Sequence, residues 1–116
     1  MTWTNANAWA ASLNVAGVTG WRLPGTLQPD TSCGNQTGGV PPQGFGFGCT
    51  GSEMGNLFYN VLGGVAGSSI TTTHNANYDL FSNVQSNFYW SGTEFAPNTR
   101  YAWHFFFLGG FQLTKH

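Results

Sequence analysis

Residues 25–49 constrain this chain more than any other stretch. Pro29, Pro41 and Pro42 are interspersed with Gly34, Gly38, Gly39, Gly44, Gly46 and Gly48, and no helical or strand-like apolar period runs through them. Proline removes a backbone donor and fixes φ, while glycine loses the most entropy on ordering, so no long helix or strand can cross the segment. Irregular loops of this length belong to compact domains where function demands them or something ties them down. Both cysteines, Cys33 and Cys49, lie inside this one. A disulfide between them would close the loop and contribute about 3 kcal/mol in the chain-entropy picture. Two unpaired thiols in a reducing compartment are the alternative; the disulfide points to a secreted or cell-surface setting. Asn35-Gln36-Thr37 within the loop also matches a glycosylation sequon.

Regular structure is expected on either side. Over Thr2–Leu13, Ala6, Trp9, Ala10 and Leu13 share one helical face, and Gly17 and Gly20 end the element. Trp21-Arg22-Leu23 reads as a short buried strand stopped by Pro24. Thr50-Gly51-Ser52-Glu53 fits a capping box, with Thr50 at the N-cap and Glu53 at N3. Met54, Leu57, Phe58, Val61 and Leu62 then mark the apolar face of a second helix, which Gly63-Gly64 closes. Residues 65–87 are polar and turn-rich. Phe88–Thr93 and Tyr101–Leu108 read as strands, the second half of the latter apolar on both faces as a central strand would be. Gly109-Gly110 signals a two-residue hairpin into Phe111–Lys115, whose alternation suits a half-exposed partner. Two helices, a small antiparallel sheet and long disulfide-closed loops make one compact α+β domain over 1–116, with 25–49 as an inserted loop.

Charge narrows the function. Charged residues make up 6% of the chain, where a soluble domain averages about 25%. Arg22, Arg100 and Lys115 are too few to form a nucleic-acid footprint. Ten Phe, five Trp and four Tyr supply ample surface for a core, which argues against disorder. No apolar run is long enough for a membrane span. Asn, Gln, Ser and Thr form about a third of the residues, so the surface is chiefly neutral amide and hydroxyl. Such a surface repels copies of itself weakly, which leaves a homo-oligomer or polymer open. Met1-Thr2-Trp3-Thr4-Asn5 has neither the basic nor the apolar region of a signal peptide. An exported chain is therefore expected to have lost its signal, or to belong to something longer.

Catalytic constellations are poorly supplied. Glu53 and Glu94 could pair as hydrolase carboxylates, but Glu53 has a capping role and Glu94 borders a core strand. No catalytic residue is assigned. His74 and Asp79 lie close in sequence, yet calcium wants several oxygens, and His74 reads as a surface histidine. His104 reads as a hydrogen-bonded wall residue; neither a metal nor a cofactor is expected. Arg22, in its buried strand, needs a carboxylate: Glu53 and Glu94 are the candidates for this structural ion pair, with Glu94 favoured. Trp3, Trp9, Trp21, Trp90 and Trp103 read mainly as core, leaving Phe45, Phe47, Phe95 and Tyr101 as the exposed aromatics that could touch a ligand.

Several motifs together resemble a known family. They are Met1-Thr2-Trp3 opening a helix with Ala6 and Ala8, Gly20-Trp21-Arg22-Leu23-Pro24, Ser52-Glu53-Met54, Tyr89-Trp90-Ser91-Gly92-Thr93-Glu94 and Ala102-Trp103-His104-Phe105. The chain resembles the DUF1566, or Lcl C-terminal domain, family over nearly its whole length. That resemblance implies a C-type-lectin-like α+β domain on a secreted or surface-attached bacterial protein, acting in adhesion. The 25–49 insertion departs from the pattern, as does the scarcity of basic residues that a sulfated glycan would need. Ala96-Pro97-Asn98 does not reproduce the sugar motif of calcium-dependent lectins. The expected partner is thus a neutral glycan or a surface protein, with self-assembly into a filament or layer as the alternative.

Overall fold

The computed structural model describes residues 1–116. Helix α1 (Trp3–Ser12) starts where the Thr2 hydroxyl accepts from the Asn5 amide at 3.1 Å. Its buried residues are Ala6 and Ala10, small enough to bring the backbone close to the sheet. The Trp3 indole donates to the Ser91 carbonyl at 2.7 Å, and the Trp90 indole donates to the Met1 carbonyl at 3.1 Å. These bonds hold α1 along the first strand of the main sheet.

Two short strands, β1 (Asn35–Gln36) and β2 (Gly44–Phe45), pair antiparallel inside the long loop. The Cys33–Cys49 disulfide is formed. Helix α2 (Glu53–Asn56) follows and runs on as a π-helical turn over Leu57–Val61. The sequence placed its cap two residues early. Ser52, not Thr50, accepts from the Gly55 amide at 3.3 Å, because Ser52 is also held from the other side: its hydroxyl donates to the Gln112 side chain at 2.7 Å. Gly63, at φ 71°, ends the helix in the left-handed region.

The main sheet has the order β3 (Phe88–Glu94), β4 (Ala102–Phe106), β5 (Phe111–Lys115), all antiparallel, with β4 central as its apolar pattern requires. Trp90 pairs with His104, and a bulge separates it from the Glu94–Ala102 pair. Phe106 pairs with Phe111, so residues 107–110 form a four-residue turn rather than the expected Gly109-Gly110 pair. Gly110 reaches φ 76° there, and its amide donates to the Phe106 carbonyl at 2.8 Å.

Alternation along β4 defines two sheet faces. The inner face packs Phe105, with Phe107 beyond the strand end, against Met54, Phe58 and Leu62 of the second helical segment and against Ile70. Trp103 on the same face meets Phe45, with ring centroids 4.9 Å apart. The long loop is therefore part of the core wall. Gly46 and Gln112 exchange backbone hydrogen bonds at 2.8 and 2.9 Å, and Tyr59 bridges the Gly48 amide and the Gly110 carbonyl. No helix is long and apolar enough to cross a membrane. The fold is a compact α+β domain with two helices, two small antiparallel sheets and a disulfide-closed loop.

Candidate functional site

An open groove of about 560 Å³ lies between α1 and β3. Trp9 lines it from α1 and Phe88, Tyr89 and Trp90 from β3, with Leu23 and Pro24 beside them. Met54, Leu57 and Phe107, which pack in or against the core, also line it. Ser82 and Asn83 are its neutral polar contribution. Asn83 takes a left-handed φ of 61°, a conformation asparagine tolerates better than most residues. Its carbonyl oxygen accepts from the Gln85 side chain at 3.0 Å, and the Gln85 amide donates to the Tyr89 hydroxyl at 3.2 Å. A lining of this kind suits apolar groups.

Trp9 was expected in the core and is instead 53% exposed. The helix lies close to the sheet through Ala6 and Ala10, and a large ring one step round the helix projects past the contact. Trp21 is exposed too, while Trp3 and Trp90 are half-buried and only Trp103 is fully enclosed. None of Phe45, Phe47, Phe95 and Tyr101 lines the groove. Phe45 and Phe95 are half-buried and cluster on Trp103. Phe47 lies against Phe111 at 4.1 Å, and Tyr101 meets His116 edge-on. The legible signal for the groove is the Phe88-Tyr89-Trp90 run, whose three adjacent aromatics must point to both faces of one strand.

Phe88 and Trp90 also border a second hollow, of about 240 Å³, with Met1, His104 and Lys115. His104 is 4% exposed, and its ring stacks on Phe88 with centroids 4.5 Å apart and planes 8° from parallel. Its Nε2 has no hydrogen-bond partner, contrary to the hydrogen-bonded wall residue expected. Burial pushes the imidazole down to about 4, with the Lys115 charge acting in the same direction. Beyond His104 the outer sheet face continues as a ladder of rings: Phe88 on Phe106 at 4.0 Å, then Phe106 near Phe111.

The ion pair differs from expectation in partner and in setting. Residues 21–23 form no strand, and Arg22 lies on the surface, its side chain 68% exposed. It pairs with Glu53, not Glu94: Nη1 and Nη2 donate to the carboxylate at 2.7 and 3.2 Å. The Gly25 amide donates to the same carboxylate at 2.6 Å, and the Glu53 amide donates back to the Gly25 carbonyl at 3.1 Å. Glu53 at the start of α2 thereby anchors the entrance of the long loop. Arg22 and Gly25 hold its carboxyl below the usual carboxylate range. Glu94 is exposed at the end of β3.

His74 is engaged as well: its Nδ1 bonds the Ile70 carbonyl at 2.6 Å and its ring stacks on Tyr78. The residues that could hold a metal are elsewhere, where Asp30 lies against the two cysteines. No known protein-family model, curated protein or solved structure matches the chain.

Proposed function

We infer that the protein is a non-enzymatic recognition module of the cell exterior, which takes an apolar segment of a surface protein in the groove between α1 and β3. One observation carries this reading: four large aromatics, Trp9, Phe88, Tyr89 and Trp90, flank one concavity with only Ser82 and Asn83 as neutral polar lining. Binding pockets combine an apolar wall with a few orienting polar groups, and aromatic anchors dominate interface energetics. A glycan would want more hydrogen-bonding side chains than this lining offers, so protein is favoured over sugar as the occupant. The disulfide suits an oxidising compartment. Adhesion is also what the resemblance to the DUF1566 family implies.

Panning the folded protein against a displayed peptide library, beside a glycan array, tests the reading. Peptides with clustered apolar side chains should be captured, and Trp9→Ala should abolish capture while leaving the fold intact, since Trp9 is half exposed. Failure of both libraries, or capture that Trp9→Ala leaves unchanged, would refute it.

A second reading, self-assembly, is favoured by the outer sheet face, where Phe88, Phe106 and Phe111 present a stacked apolar ladder. Strand addition at the sheet edges is a poorer route. The Gly92 amide of β3 already donates to the Pro24 carbonyl at 2.9 Å, and Gly46 occupies the β5 edge at Gln112. Assembly of copies would therefore run face to face.

A further inference from the structure

We propose that Asp30, Cys33 and Cys49 form a binding site for a zinc-class divalent cation when the disulfide is reduced, so that the long loop has a clamp in either redox state. One oxygen of Asp30 and the two sulfurs all lie within 4.8 Å of one another, and all three residues are buried. Ligand atoms around a four-coordinate zinc stand roughly 3.5–3.8 Å apart, as Zn–S and Zn–O bond lengths dictate. On reduction the two sulfurs, no longer bonded to each other, must part to that spacing while the Asp30 oxygen is already within 4.8 Å of both.

The state of Asp30 is an independent pointer. It is 3% exposed, and its Oδ1 accepts from the Ser32 amide at 3.1 Å and from the Ser32 hydroxyl. Its Oδ2 is enclosed and has no hydrogen-bond partner. A buried carboxylate oxygen left unpaired is costly, and a cation is one of the few groups that satisfies it. Glycine at 51 leaves the carboxylate its room: a Cβ there would stand 2.8 and 2.9 Å from its two oxygens. The surroundings also suit thiolates. The Gln112 amide group points at Cys33 Sγ from 3.8 Å, which would support the sulfur's negative charge once the disulfide opens. The chemistry of two thiolates and a carboxylate selects zinc-like ions over calcium or magnesium, which want oxygen alone. This inference is independent of the groove.

The redox step balances with a water-soluble phosphine as reductant. The S–S bond takes up two electrons and two protons to give two thiols, while the phosphine is oxidised to its oxide with the oxygen of water. Zinc then displaces the two thiol protons to buffer. In a reducing compartment the cation would close residues 33–49; after export, thiol–disulfide exchange with a disulfide oxidant would take the two electrons of the thiolates, form the S–S bond, release the cation and leave the oxidant as a dithiol.

The test uses Co²⁺ as a spectroscopic probe and Zn²⁺ as competitor on the full chain, oxidised or phosphine-reduced. Reduced protein should bind one Co²⁺ with the intense visible bands of tetrahedral sulfur ligation, and Zn²⁺ should bleach them. Oxidised protein should give none. Asp30→Asn should weaken Co²⁺ binding at least tenfold. If the reduced metal-free chain loses its fold, Zn²⁺ should restore the near-ultraviolet circular dichroism of the oxidised protein. The proposal is overturned by octahedral or absent cobalt bands, by equal binding to the oxidised chain, by Asp30→Asn binding as tightly as the parent, or by an unfolded reduced chain that Zn²⁺ does not rescue.

Discussion

Acidification should destabilise this protein through His104. The imidazole is buried with its Nε2 unpartnered, stacked on Phe88 and near Lys115, so its proton affinity falls from the ordinary 6.5 to about 4. The unfolded chain takes up a proton as pH drops through 6.5; the native chain does so only near 4. Between those values the unfolded state binds more protons, so stability falls with falling pH and levels off below about 4. At about 1.4 kcal/mol per unit of separation, the loss attributable to His104 is about 1.4 kcal/mol at pH 5.5 and about 3 kcal/mol at pH 4. That is a large share of the roughly 5–15 kcal/mol available to a domain. Urea unfolding followed by tryptophan fluorescence, from pH 7.5 down to 4, gives the curve. Glu53 begins to lose its own contribution only at the acid end, because its carboxyl lies below its usual range. His104→Phe keeps an aromatic ring in the stack and cannot titrate, so subtracting its curve from the parent's isolates the imidazole. A difference that is flat across the window, or one that grows towards high pH, would refute the burial account.

Other parts of the fold respond in ways as definite. Reducing the disulfide in the presence of a chelator should cost about 3 kcal/mol, read as a lower urea midpoint, because the Cys33–Cys49 bond spans 16 residues. Gly110→Ala should destabilise strongly in the same assay: the residue sits at φ 76°, and a Cβ there would collide with the Tyr59 hydroxyl and the Phe58 ring. Phe58→Ala should cost about 3–5 kcal/mol, since its ring is fully enclosed among Met54, Leu62, Phe105 and Phe107. Arg22→Ala should leave the midpoint nearly unchanged, being exposed, whereas Glu53→Gln should speed hydrogen exchange at the Gly25 amide that it accepts from.

What could be read from the sequence was whatever repeats along one element. The β4 and β5 alternation, the α2 apolar face and the central position of β4 all follow from residues a few places apart. What depends on contacts between distant segments could not be read. Trp21-Arg22-Leu23 carries a strand pattern but meets no partner strand; the bonds to β3 come just beyond it, from the Pro24 carbonyl to the Gly92 amide and from the Thr26 amide to the Thr93 hydroxyl. Thr50 and Ser52 are equally good caps locally, and the choice is made by Gln112, sixty positions away. Arg22 chose Glu53 because Gly25 brings the loop entrance to the start of α2. The groove itself is the clearest case. Trp9 falls on the same helical face as Ala6 and Ala10, and only the closeness allowed by those alanines shows that its ring must overshoot the core.

The two surfaces offered for recognition and for assembly are not separate, because Phe88 lines the groove and also belongs to the outer ladder of rings. Phe88 packs on His104 and Phe106 of the outer face while also forming a groove wall. An occupant that presses on Phe88 from the groove must therefore alter the stack that a second copy would meet. Substitutions separate the cases. Trp9→Ala, which touches only the groove, should remove peptide capture and leave sedimentation unchanged. Phe106→Glu, which touches only the outer face, should suppress any concentration-dependent assembly and leave capture intact. Phe88→Ala should disturb both, and captured peptide should shift the assembly equilibrium of the parent protein but not that of Phe88→Ala. Peptide that shifts assembly equally in both proteins would show that the coupling does not pass through this ring.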